Sequence, residues 1–391
     1  MKALVLIDGE HYAPVVRDAL AALPYEVVGA LLVGGTEKLR GGDDYGVPLV
    51  TALDEVEAEI VVDLSDEPVL GPRERFLWAS RALALGLPYA GADFRFEPPV
   101  LHEVPLPSLA VIGTGKRVGK TAVTGHAARL LARDRDVVVV SMGRGGPPEP
   151  ELRLTAPTLE ELVALARAGR HAASDYLETA VFAGVPTVGC RRAGGGLAGA
   201  TFDSNVLEGV RAAAALEPDL LVFDGSGAAL PPIAARARIL VTNAEHDVRE
   251  GLNAYRVLVS DLVVDIGDAD DNAIREIKDV PVVHAELRLR PAEPLRGRRT
   301  AVFTTGPAPT GHLDGDVVHV SRNLAQRDAL RAELEQVDAE VYLVELKAAA
   351  IDVVAEAALA RGAEVVLAAN DVVADGLDEL LSGLVPLEIG A

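Results

Sequence analysis

Leu109-Ala-Val-Ile-Gly-Thr-Gly-Lys-Arg-Val-Gly-Lys-Thr121 joins an apolar run, a glycine-rich turn and a lysine–threonine pair. Strand, loop and helix start in that order make a phosphate-binding loop. Gly113, Gly115 and Gly119 let backbone N–H groups converge, Lys120 supplies a point charge, and Thr121 offers a hydroxyl to Mg²⁺. The helical run from Ala122 to Leu131 sets bound phosphate at a helix N-terminus. The spacing departs from the common pattern: Thr114 stands where glycine is usual, flanked by Gly113 and Gly115, while Val118-Gly119-Lys120-Thr121 keeps the usual ending. Of the six lysines, Lys116 and Lys120 both fall in this loop, so an ammonium is wanted there and not merely a cation.

A second signal lies downstream. Asp219-Leu-Leu-Val-Phe-Asp224 is four apolar residues between two carboxylates, the pattern of a buried parallel strand that delivers Asp224 to the sheet edge. There it can hold Mg²⁺ or its waters opposite Thr121. The pairing of this strand with the loop is more specific than either alone. Thr242 is followed by Asn243-Ala-Glu-His-Asp247. A guanine-reading site would carry Asn-Lys-x-Asp there, so Ala244 favours adenine, with Asn243 as a base contact.

At 391 residues the chain has room for two or three domains. A net charge of −22 argues against a general nucleic-acid or anionic-membrane surface. No apolar run approaches the roughly 20 residues that span a bilayer, no export signal is evident and Cys190 is the single cysteine, so a cytoplasmic protein is expected. The cations near the glycine loops, Lys116, Arg117, Lys120, Arg144, Arg191 and Arg192, read either as a focused anion site on an acidic body or as solvated surface.

Periodicity divides the chain into an α/β fold of three parts. Residues 1–104 read as an N-terminal Rossmann-like α/β domain. Residues 105–298 read as a P-loop NTPase core with a mostly parallel sheet, and 299–391 as a C-terminal α/β section packed on the core or continuing it. In the first part the loop Ile7-Asp-Gly-Glu-His-Tyr12 follows a strand. Asp8 and His11 there read as solvated caps or as substrate or metal ligands. Met142-Gly-Arg-Gly-Gly-Pro147 puts Arg144 at a strand end, as a phosphate contact or a solvent turn. The glycine-rich segment 188–199 reads as a connector or as a lid whose Arg191 and Arg192 close on an anion. Lys347 follows a strand in the third part, as a helix-start lysine or a functional one.

With those residues in hand, the chain resembles the cyclic 2,3-diphosphoglycerate synthetase family. The pieces that carry the resemblance are Ile7–Tyr12, Gly113–Thr121, Met142–Pro147, Phe223–Pro232 and Glu345–Ala350. The glycine loop alone is also similar to that of dethiobiotin synthetase. The resemblance implies an ATP- and Mg²⁺-dependent ligase, a homodimer, that closes an intramolecular pyrophosphate on a small anionic substrate, 2,3-bisphosphoglycerate. It implies that Lys120 and the loop hold the nucleotide phosphates, that Thr121 and Asp224 hold Mg²⁺, and that Arg144, Arg191 and Arg192 neutralise the substrate. Lys116 and Arg117 are extra phosphate ligands on this reading. A kinase or ligase for another small acid would share the nucleotide residues. A nucleotide-driven switch or metallochaperone would need the Cys or His clusters that this chain lacks.

Overall fold

The computed structural model describes residues 1–40 and 44–386. Among them three sheets follow one another along the chain. The first is six-stranded, with Lys2–Ile7 at its centre between Glu26–Leu32 and Ile60–Asp63, all parallel. The short strand Arg95–Phe96 closes it antiparallel to Tyr89–Ala90.

The second sheet contains the phosphate loop. Its central strands run Val137–Gly143, Leu220–Asp224, Ser108–Gly113, Ala237–Thr242, all parallel. Ser108–Gly113 is buried along its whole length. Leu109 and Val111 pack with Val123 and Ala127 of the helix Lys120–Leu131, while Ala110 and Ile112 join the cluster on the opposite face with Val138 and Val140. A strand covered on both faces needs a continuous apolar run rather than an alternating one, which is what 109–112 supplies.

The segment Thr187–Ala193, expected as part of a glycine-rich loop from residue 188, is a strand. Its register with Val139–Gly143 carries through to Arg191, and beyond it Arg192 and Ala193 pair with Ser204 and Asp203. Buried Thr187 to Cys190 fix that strand, so the two arginines leave the sheet on a paired backbone. Cys190 is fully buried and burial pushes its thiol up to about 12, which makes it an inert filler.

The third sheet is five-stranded. It begins at Glu286–Pro291, antiparallel to Glu364–Val373, and continues in parallel through Val341–Glu345, Arg299–Phe303 and Asp316–Ser321. One face shares a core with the second sheet's helices: Phe303, Tyr342 and Val344 cluster with Leu162 of Leu159–Arg167 and Leu177 of Asp175–Ala183. Each such side chain contributes about 1.5–3 kcal/mol by burial. That shared core is what brings the end of Val341–Glu345 to the phosphate loop. Helix Leu159–Arg167 is fixed at its start by a capping box in which Thr158 and Glu161 satisfy each other's backbone N–H.

Candidate active site

Two residues in left-handed conformations shape the loop after Ser108–Gly113, Arg117 at φ 61° and Gly119 at φ 96°. At Gly119 a β-carbon would also stand 3.2 Å from Cγ1 of Ile266. At Gly115 it would lie 2.3 Å from Nε2 of His246, so the imidazole closes the loop's outer side. Lys120 folds its Nζ back to the Gly115 carbonyl at 2.7 Å. Burial draws its pKa down to about 8, against the pull of Asp224 and Asp175. Thr114 and Val118 face the protein. The Thr114 hydroxyl lies 3.1 Å from that of Thr242 and its amide donates to Val241, while Val118 is fully buried.

Asp224 ends the strand beside the loop, 1% exposed. Neither of its oxygens makes a well-formed hydrogen bond, the Thr124 hydroxyl lying near enough to give only weak support, and the hydroxyl of Ser141, its neighbour across the ladder, is buried and unpaired. Burial and then the charge of Asp175 push Asp224 up to about 7, with Lys120 drawing it back. An orphaned buried carboxylate at the end of the strand paired with Ser108–Gly113 fits a hydrated Mg²⁺ ion, which takes one or two carboxylates and keeps several waters.

A cleft of about 260 Å³ opens over the phosphate loop, with Gly225 to Gly227, the turn that follows Asp224, forming part of its wall. Lys116, Arg117, Lys120 and Thr121 line one side; Arg144, His171, Asp175, Ser226 and Lys347 complete it. Arg144 reaches across to Gly227, where a β-carbon would lie 2.8 Å from its Nη2. Arg192 braces the same turn from behind by donating to the Ser226 carbonyl at 2.8 Å. Burial lowers the Arg192 pKa, and the charge of Arg144 adds to it. Five cations thus converge where phosphate oxygens would lie, on a chain of strongly negative net charge.

Other residues singled out from the sequence stand elsewhere. Arg191 is exposed, its amide bonded to Asn205 Oδ1, and it does not line the cleft. Asn243 uses its Oδ1 to accept from the Glu245 amide, a local turn at the end of Ala237–Thr242. Asp8 and His11 belong to the first sheet. Asp8 accepts from the amides of Glu10 and Asp66 and from His11 Nδ1 at 2.8 Å, and that bond raises the His11 pKa. Neither lines the cleft.

Sequence reasoning missed Asp175, Glu178 and His171. Asp175 and Glu178 occupy the first turn of Asp175–Ala183, where acidic residues are expected for the helix dipole alone, so nothing in the pattern separates them from ordinary capping charges. It also missed a group on the far edge of the same sheet. His284 lies 3.1 Å from Asp265 and 3.2 Å from Asp271, whose carboxylates raise its pKa, with the bond to Asp265 the larger cause.

Three family models match the chain: cyclic 2,3-diphosphoglycerate synthetase N-terminal domain over residues 2–97, its P-loop domain over 108–287, and its C-terminal domain over 291–371. The chain belongs to the cyclic 2,3-diphosphoglycerate synthetase family. A protein of that name from Rubrobacter xylanophilus is 50% identical, covering 97% of this chain and 96% of its own. The Thermococcus onnurineus synthetase is 41% identical over 96% of each chain. The Methanothermus fervidus synthetase is 36% identical, over 94% of this chain and 92% of its own. Among solved structures, Aquifex aeolicus LpxK in complex with ATP overlays with a TM-score of 0.44 at 15% identity, covering 73% of this chain and 90% of that one. Family membership accounts for the segments before and after the P-loop domain. Among the described residues no helix is long and apolar enough to cross a membrane.

Proposed function

We propose that this chain makes cyclic 2,3-diphosphoglycerate from 2,3-bisphosphoglycerate and ATP. The γ-phosphoryl group passes to one phosphate of the substrate. The substrate's other phosphate then attacks that activated phosphorus. A P–O–P bond closes the ring as the bond to the former γ-phosphate breaks, and ADP and inorganic phosphate leave. Phosphates are nucleophilic as they stand at neutral pH, so the protein's task is to position the groups and to screen their charge.

The observation that carries this reading is the convergence of Lys116, Arg117, Lys120, Arg144 and Lys347 on one cleft, whose Gly225–Gly227 wall follows directly on the buried Asp224. A P-loop that bound only nucleotide would not need cations on the facing wall. On this reading Gly113 to Thr121 cradles the ATP phosphates and Lys120 exchanges its Gly115 carbonyl for a phosphate oxygen. Thr121 and Asp224 hold Mg²⁺, which when bound offsets phosphate charge, and Asp175 orients its waters. Arg144 faces the substrate phosphates, Lys347 stands where they meet the γ-phosphoryl group, and Arg192 steadies the Ser226 turn against Arg144. Arg191 guides substrate from the rim, Asn243 contacts the adenine, and Asp8 and His11 serve substrate from the first domain. The domain limits near residues 104 and 298, a homodimeric state and a cytoplasmic site are part of the same proposal.

The test is phosphate release by purified protein with ATP and Mg²⁺. It must depend on 2,3-bisphosphoglycerate, and 3-phosphoglycerate, which lacks the second phosphate, must not support it. Equal release with either acid would reject the reading.

A further inference from the structure

Lys347 comes from the third sheet, yet it lines the same cleft as Lys120 and Asp175. The turn that delivers it is unusual at three consecutive points. Its amide donates to the Glu345 carbonyl two residues back at 2.7 Å. Ala348 is held at φ 46° without being glycine. Ala350–Ala355 then winds as a π-helix, with the Val354 amide reaching the Ala349 carbonyl. Such departures cost free energy and persist where their surroundings over-determine them, which happens preferentially at functional sites.

Beneath the lysine, Glu178 is 6% exposed on the helix Asp175–Ala183. Its Oε1 lies 3.5 Å from Lys347 Nζ, and its Oε2 is buried with no partner. The neighbouring carboxylate, Glu345, is occupied: one oxygen accepts from the amide and hydroxyl of Thr305, the other from Asn370. Glu178 is therefore the carboxylate left to hold the lysine head, from an element belonging to the P-loop part of the chain.

We infer that Glu178 is a positioning residue that holds the Lys347 ammonium against the γ-phosphoryl group of bound ATP, so that the C-terminal domain closes the phosphate site opposite Lys120. The inference rests on the reading of the cleft as an ATP site. Its physical basis is that a long, flexible ammonium whose side chain is 30% exposed swings to solvent unless a fixed charge holds it. Burial raises Glu178 and the ammonium draws it back, while the ammonium itself is held upward chiefly by Glu178, with Glu345 and Asp175 adding to it. Lys347 thus stays charged, whereas Lys120, with a pKa near 8, is more easily discharged. The two lysines would grip the γ-phosphoryl from opposite sides, one from each sheet.

The test compares affinity for ADP and for the non-hydrolysable analogue AMP-PNP by calorimetry in wild type, Glu178→Gln, Lys347→Met and the double variant. AMP-PNP adds to what ADP presents a γ-phosphoryl group on an imido bridge. Either single substitution should weaken AMP-PNP about tenfold, or about 1.4 kcal/mol, and ADP less than about twofold. The double variant should be no weaker than Lys347→Met, since the carboxylate acts only through the lysine. Unchanged AMP-PNP affinity, equal loss for both nucleotides, or additive losses in the double variant would overturn the inference. If Glu178→Gln does not fold, Lys347→Met reads the same γ-preference from the exposed end of the pair. A wild type that prefers AMP-PNP but makes no cyclic product counts against the proposed reaction and leaves this inference standing.

Discussion

The Nζ of Lys120 donates to the Gly115 carbonyl at 2.7 Å, so a backbone oxygen of the loop takes the place on the ammonium that a phosphate oxygen would fill. Lysine and loop are therefore organised before nucleotide arrives. Lys120→Ala removes the charge and leaves that carbonyl without a donor. Turnover should fall by at least about 10²–10³, the scale seen when one donor to developing charge is lost. Residual turnover near wild type would rule out the loop as the site of chemistry. Because the native ammonium is buried with a depressed pKa, the variant's melting temperature should not fall.

Gly115 and His246 make a second, purely steric prediction. A β-carbon at Gly115 would lie 2.3 Å from the His246 ring, so Gly115→Ala must displace either the imidazole or the loop. If the loop yields, nucleotide affinity drops, and adding His246→Ala should restore most of it. A double variant as weak as the single would show that the close approach is not what requires glycine here.

Asp224 sets the pH dependence. Its folded pKa, about 7, lies above the ordinary 3.8, so folding favours the protonated acid; that contribution is complete below pH 3.8 and is lost as pH rises through 7. At higher pH the nucleotide-free protein carries a buried carboxylate that the fold disfavours. Asp224→Asn should stabilise the nucleotide-free protein at pH 8 by about 1–3 kcal/mol, allowing for the support Lys120 loses, and leave it unchanged near pH 3. The same variant should lose activity, and wild-type kcat/KM should show an acidic limb near pH 7. Melting curves across pH check the first statement; a larger gain at pH 3 than at pH 8 would contradict the sign.

Arg191 and Arg192, adjacent in sequence, should behave differently. Arg192 braces the Ser226 carbonyl behind the cleft, whereas Arg191 is exposed and does not line it. Arg192→Ala should raise the substrate KM several-fold more than Arg191→Ala does, with the KM for ATP little changed in either. Equal effects would mean that the strand is repositioned when substrate binds.

Much of this arrangement was legible in the residues. The apolar run 109–112, the glycine turn and Asp219–Asp224 identify the parallel core, because a strand buried on both faces leaves a compositional mark. What could not be read is whatever depends on a distant partner. Glu178 looks like any first-turn acid until Lys347 arrives from another sheet. The arginine pair looks like loop because glycines follow it, and pairing with Val139–Gly143 overrides that local signal. Arg256 is the extreme case: it is 1% exposed, and its guanidinium donates to the carbonyls of Ala228, Leu197 and Leu252, holding together loops that composition alone leaves unconnected.

The most direct measurement is phosphorus NMR of purified protein with ATP, Mg²⁺ and 2,3-bisphosphoglycerate. Resonances of a cyclic pyrophosphate should grow in step with ADP and inorganic phosphate, in equal amounts, and be absent with Lys120→Ala. ADP and phosphate accumulating with the bisphosphoglycerate signals unchanged would contradict the proposed reaction.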